Sequence, residues 1–187
     1  MPEALRGFRA ARMWPVTTNT AAAYATGLMF ALPGAQELTK DTKKTDYTIP
    51  ADDGIYATGS DFLYEDLVFK MAELSLELEA SLQGSTYVEA DKEYIFKDTD
   101  IAPEFAFGYA AAKLDGTSRM FKHPVTKLMS IKVDHKTKAE GNTDIQSYTV
   151  TLRSYRRPCD GMIRDTKDGA TAAITWLDTM AAFPVVP

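Results

Sequence analysis

Glu104–Leu114 reads Glu-Phe-Ala-Phe-Gly-Tyr-Ala-Ala-Ala-Lys-Leu. Rings stand at alternate positions, Phe105, Phe107 and Tyr109. Small residues fill the gaps, Ala106, Gly108, Ala110 and Ala112. Successive side chains of a strand point to opposite faces, so this is a strand with one bulky face and one slim face. Asp115-Gly116 follows as a hairpin turn. Arg119–Val133 returns, with Pro124 a candidate break.

The same alternation places more strands on either side. Asn142–Arg156 turns Tyr148, Val150 and Leu152 inward, and Ser147, Thr149, Thr151 and Arg153 outward. Leu63–Leu74 alternates around Leu67, Phe69 and Met71. Arg12–Thr18 reads as a short strand at an edge, because Pro15 cannot donate to a ladder. Gly27–Leu32 and Ala35–Thr39 read as strands around a Pro33-Gly34 turn. Tyr87–Glu89 and Glu93–Phe96 form a small hairpin. Lys40–Ser60 is polar and turn-rich, with Lys43-Lys44, Pro50 and Asp52-Asp53-Gly54. It reads as a long loop with at most one short strand, Asp46–Ile49, inside it.

Two helices are expected. Ser75 is a candidate N-cap and Gly84 a candidate C-cap, with Leu74, Leu78 and Leu82 on one face. Gly169–Met180 carries a stripe of Ala173, Ile174, Leu177, Met180 and Ala181, opened by Asp168. Hairpin order dominates and no strand–helix–strand alternation occurs. The expected class is α+β: a mainly antiparallel β-sandwich or partial barrel with one or two flanking helices. The 187 residues suit a single domain, 1–187, with an N-terminal arm 1–10, a long loop 40–60 and a C-terminal arm 181–187.

Composition narrows the function. One cysteine, Cys159, cannot form an internal disulfide, so a disulfide scaffold is excluded. The longest apolar stretch, Ala21–Leu32, is too short to span a membrane. Arg6, Arg9 and Arg12 precede it, but Glu3 and the polar run Pro15–Thr20 depart from a cleaved signal. Net charge is −5, against a protein that grips nucleic acid through phosphates. Charge is uneven: residues 61–115 hold thirteen acidic and four basic residues, and residues 116–187 hold seven acidic and eleven basic. Chance scatter explains this. So does a chain with opposed surfaces suited to head-to-tail self-association.

No catalytic or metal motif emerges. His123 and His135 have no nucleophile within motif distance. There is no paired-cysteine or His-Glu-x-x-His spacing and no glycine-rich phosphate cradle. Asp52-Asp53-Gly54 and Asp98-Thr99-Asp100 offer too few oxygens for calcium and suit turns. A structural role without enzyme activity or cofactor is expected.

Several segments, taken in order, resemble the major tail proteins of long-tailed, non-contractile bacteriophages. They are Leu32-Pro33-Gly34-Ala35, the loop Tyr47–Tyr56, the strand-then-helix Leu67–Gly84, and Phe107-Gly108-Tyr109 through Lys113. Lys136-Thr137-Lys138-Ala139-Glu140 and Ala172–Met180 with Trp176 complete the series. The resemblance spans about residues 5–182 and includes no additional immunoglobulin-like domain.

It implies a virion structural protein, assembled in the host cytoplasm, that forms stacked hexameric rings around a conduit for DNA. Implied partners are other copies of itself, a tape measure protein, a tail terminator and distal tail proteins. DNA is non-specific cargo, and no membrane insertion is implied. Another ring-forming relative, such as a secretion-system tube or a tail-completion protein, is the alternative. Acidic or hydroxyl side chains would suit the bore, because phosphates would not bind them. Ser147, Thr149, Thr151, Glu65 and Glu73 are the candidates for that lining. Lys43, Lys44, Asp52, Asp53 and Tyr56 are the candidates for an inter-ring loop.

Overall fold

The computed structural model describes residues 4–51, 54–133, 135 and 147–180. In chain order the strands are β1 (Leu5–Asn19), β2 (Tyr24–Thr26), β3 (Phe30–Ala31), β4 (Ala35–Ala51) and β5 (Gly54–Met71). The helix α1 (Leu76–Gln83) follows, then β6 (Thr86–Val88), β7 (Glu93–Ile95), β8 (Glu104–Lys113), β9 (Thr117–Val133), β10 (Tyr148–Ser154) and β11 (Asp165–Ala170). A 3-10 helix, Thr171–Asp178, ends the described chain. Nine strands share one sheet, with the path β2-β1-β8-β9-β10-β5-β4; β11 pairs with β9 and β3 with β1. Every pairing is antiparallel. The result is the expected mainly antiparallel α+β class.

The bulky face of β8 builds the core. Phe107 stacks on Phe69 of β5 at 5.3 Å between centroids, and Tyr109 stacks on Phe121 of β9 at 4.8 Å. Val150, Leu152, Leu67 and Met71 fill the remaining space and are fully buried. The slim face is covered from outside. A Cβ at Gly108 would lie 3.1 Å from the Trp14 ring and 3.3 Å from Leu177, so the glycine lets both side chains pack close against β8, and a larger residue would press them outward by a few tenths of an ångström.

β9 runs through Pro124 unbroken. The β8–β9 register shifts between Phe105 and Phe107, so the missing N–H falls in an irregular stretch of the ladder. The Pro124 carbonyl accepts a bond of 2.5 Å from the Tyr24 hydroxyl.

α1 forms as read. The Ser75 side chain accepts from the Leu78 N–H, and Gly84 closes the helix at φ +72°. A Cβ at Gly84 would run into the Ile101 carbonyl, which excludes any larger residue there.

Five expectations fail. Arg12–Thr18 is not a short edge strand but part of the 15-residue β1, which has β8 on one side and β2 and β3 on the other. The 40–60 loop is a β-ribbon, continuous through β4 and β5. Both its faces are largely exposed, so no apolar alternation marks it as strand. Within the supposed arm 1–10, residues 5–10 belong to β1 and Leu5 pairs with Lys113. Bulges at positive-φ Gly7 and Ala10 hide the alternation there. Gly27–Leu32 shrinks to Phe30–Ala31. The helix Gly169–Met180 begins instead as β11, and its remainder is 3-10. Asp168 is spent on Arg119 and Lys113 at 2.7 and 2.5 Å, so it caps nothing. The arm 181–187, the Lys136–Glu140 segment and the first residues of Asn142–Arg156 lie outside the described residues.

Candidate assembly interface

Four strands in the order β9-β10-β5-β4 form a sheet whose inner face is core and whose outer face is polar. Register places Thr149 beside Lys132 and Lys70, Thr151 beside Ser130 and Val68, and Arg153 beside Lys127 and Asp66. Across the next ladder lie Glu37, Thr39, Asp41 and Lys43 of β4. Each carboxylate on this face has a cation: Glu37 with Lys70 at 2.9 Å, Asp41 with Lys43 at 2.5 Å, and Asp66 with Arg153 at 2.7 Å. Hydroxyls separate these pairs.

The sheet has two open edges. Among the described residues β4 pairs with β5 alone. β8 pairs with β9 no further than Lys127, so among the described residues the end of β9, from Leu128 to Val133, pairs with β10 on one side and with nothing on the other. Open edges are templates for pairing with another chain.

Beyond Glu65 the β4–β5 hairpin leaves the body. β10 covers β5 only from Glu65 to Met71, so the rest is a free two-stranded ribbon. A lone two-stranded ribbon is marginal in water. This one exposes Tyr47, Ile49, Ile55 and Tyr56, the last at 79%. Tyr47 packs its ring across Gly59, where a Cβ would collide with it.

Under the sheet sits a buried ionic cluster. Glu65 accepts from Thr42 and Arg164, each at 2.7 Å, with the Lys40 ammonium 3.9 Å away. His123 Nδ1 lies 3.4 Å from the other carboxylate oxygen and 3.3 Å from Ser154 Oγ. Burial, with the charges of Arg164 and Lys40, holds the imidazole down at about 3, so His123 is neutral. The carboxylate does not counter this, because two cations already face it.

The expected lining residues therefore separate. Thr149 and Thr151 share the polar face, and half-buried Ser147 immediately precedes their strand. Glu65 points the other way and is 2% exposed, so it cannot line a bore. Glu73 is exposed, but in the turn after β5, on the rim of a groove of about 600 Å³ beside Phe30 and Leu78. The acidic excess also lies elsewhere, on α1 (Glu77, Glu79) and around β6 and β7 (Glu89, Asp91, Glu93). Of the inter-ring candidates, Lys43 and Lys44 stand at the root of the ribbon and Tyr56 at its tip; Asp52 and Asp53 lie outside the described residues. Missed by sequence reasoning were the two edges, Lys40, Arg164 and His123. No helix among the described residues is long and apolar enough to cross a membrane, and no group of three or more His, Cys, Asp or Glu there could hold a metal ion.

No protein-family model and no curated protein matches the sequence. A solved structure does match in fold. A chain of the PVC sheath–tube complex in its extended state, an extracellular contractile injection system, aligns with 84% of this chain and 88% of its own length. It does so at 9% identity and a TM-score of 0.51. A chain of the anti-feeding prophage (AFP) baseplate, six-fold symmetrised, aligns over 91% of this chain and 97% of its own, at 8% identity and a TM-score of 0.38. The chain shares its backbone plan with a chain of the sheath–tube complex of an extracellular contractile injection system.

Proposed function

We propose that the chain is the repeating subunit of a tail tube, with a structural and non-catalytic role. The observation that carries this reading is the pair of open edges on one polar-faced sheet. Strand directions alternate across β9-β10-β5-β4, so β4 of one copy runs antiparallel to β9 of a copy rotated beside it. Four strands per subunit thus continue an unbroken antiparallel sheet around an axis. A heterologous contact of this kind closes into a ring when its rotation divides a full turn. Closure removes every edge and satisfies its N–H and C=O groups.

Six copies, the number implied by the resemblance to major tail proteins, would supply about 24 strands. With a spacing of about 4.8 Å and a tilt of about 40°, these close on a backbone diameter of roughly 48 Å. Thr149, Thr151, Thr39 and Ser130 would then face the bore. The lining would be hydroxyls and ion pairs in place of bare carboxylates, and three of its five cations are neutralised by neighbours on the same face. The other two, Lys127 and Lys132, leave the face with a net two positive charges per subunit, so this bore would attract passing phosphates where an acidic lining would repel them.

The tube would stand in the tail of a virion of the long-tailed, non-contractile type. It would pass DNA at ejection and meet a tape measure protein, a terminator and distal tail proteins. A second reading, the inner tube of a contractile system, is favoured by the fold likeness to the PVC complex.

Edge pairing is tested by cysteines at Thr39 or Asp41 of β4, each combined with one at Ser130 or Lys132 of β9, in a Cys159→Ser background. At least one combination should give a ladder of disulfide-linked oligomers on oxidation of assembled protein. Monomers from every combination would count against edge-to-edge closure. Recruitment of a sheath protein by purified tubes would favour the second reading over the first.

A further inference from the structure

We propose that the slot between the start of β1 and β4 receives the ribbon tip of another copy, the segment ending in Ile55 and Tyr56. This deepens the tube reading and rests on it. The slot has a volume of about 280 Å³ and opens where β1 and β4 approach without a backbone ladder. Leu5, Phe8, Leu38 and Phe121 give it an apolar wall, and Arg6 and Lys40 give it two cations.

The charges beneath the slot are unbalanced. Glu65 already accepts from Arg164 at 2.7 Å, and Lys40 reaches the same oxygen only at 3.9 Å. Two cations share one carboxylate, and the Lys40 ammonium is held below its ordinary range by burial and by Arg164. An anionic visitor would complete the set.

The tip has the matching chemistry. Ile55 and Tyr56 are 69% and 79% exposed, and the sequence immediately before them is Asp52-Asp53-Gly54. Apolar anchors flanked by carboxylates fit an apolar slot rimmed by cations. The groove beside α1 fits worse, because Glu73 and Glu77 line it.

A copy cannot fill its own slot. Lys40 lies at the root of the ribbon and Ala51 at its end, a distance of about 36 Å at 3.3 Å per residue along a paired hairpin. Knob and hole on one chain, held this far apart, give a heterologous contact that propagates from copy to copy.

The test is charge reversal. Arg6 is exposed, and Asp52 and Asp53 stand in sequence between Ala51 and Gly54, the last paired residues of the ribbon, so Arg6→Glu and Asp52→Lys/Asp53→Lys should leave the melting temperature of the monomer unchanged. Each variant alone should raise the critical concentration for tube formation about tenfold, and the two mixed in one chain should return it to within about threefold of wild type. Tyr56→Cys with Leu5→Cys, in the Cys159→Ser background, should cross-link between copies. If either reversal alone assembles like wild type, or if tubes form with neither rescue nor cross-link, the slot assignment is overturned and the tube reading stands. If wild-type protein forms no tubes at any concentration, the tube reading fails and takes this one with it.

Discussion

Replacing residues 45–61 by Asn-Gly, so that a tight turn joins Lys44 to its partner Phe62, leaves the subunit folded and abolishes tube formation. The first half follows from burial. Among the described residues of this span side chains are exposed or half-buried, none belongs to the core, and the ladder from 44 to 62 bonds only to itself. Excising backbone that nothing else leans on is tolerated when a two-residue turn closes the gap. The second half follows from what the ribbon exposes. Tyr47, Ile49, Ile55 and Tyr56 are wasted on an isolated subunit and gain burial only against other copies. We expect a melting temperature within a few degrees of wild type and a critical concentration raised more than about 100-fold, equivalent to about 2.7 kcal/mol per subunit. Circular dichroism and pelleting of polymer measure the two halves separately.

Glu65→Ala should be among the most destabilising single substitutions in the body of the protein. The carboxylate is buried, and its removal leaves Arg164 and Lys40 facing a cavity with no counter-charge. Breaking a buried pair from one side costs about 3–5 kcal/mol. Arg164 and Lys40 keep about a third of their side-chain surface in solvent, so the expected loss is near the lower end, about 3 kcal/mol. Glu65→Gln retains an acceptor for Thr42 and should lose less. Urea unfolding of both variants with an unchanged slope is the measurement.

The same cluster sets an acid limit. His123 titrates at about 3 in the folded protein and near 6.5 when unfolded. Between those values the unfolded chain binds a proton that the folded chain refuses. Stability contributed by neutral His123 is therefore complete above about pH 6.5 and lost as pH falls toward 3, at about 1.4 kcal/mol per unit. Arg164 and Lys40 oppose protonation; Glu65, Ser154 and the stacked Tyr109 also face the imidazole. His123→Gln should flatten the decline of melting temperature between pH 6.5 and 4.5; an unchanged slope would assign the acid sensitivity elsewhere.

What the sequence made legible was whatever buries one face. β8 shows its rings and alanines in strict alternation, α1 carries its own caps, and β6 and β7 stand as a hairpin. The ribbon was illegible because water covers both its faces, and a strand without a core face has the composition of a loop. Glu65 was misplaced because it was read with the acidic run around it. The alternation Glu65, Leu67, Phe69, Met71 was the signal that put it inside. The C-terminal stripe reads as an α-helix because a spacing of three, as from Ile174 to Leu177 and Met180, suits both helix types. The open edges needed the topology, since only the register of β8 against β9 shows where β9 outruns its neighbour. Thr149 and Thr151 were legible as an outward face, but the cations beside them on β5 and β9 required the pairing.

Cryo-electron microscopy of concentrated purified protein bears most directly on closure around a hollow axis. Edge-to-edge assembly predicts uniform tubes in which β4 of each subunit lies hydrogen-bonded against β9 of the next, with Thr149 and Thr151 facing the lumen. Tubes whose sheets stay separate at the subunit boundary, or whose Thr149 face is turned outward, would contradict it.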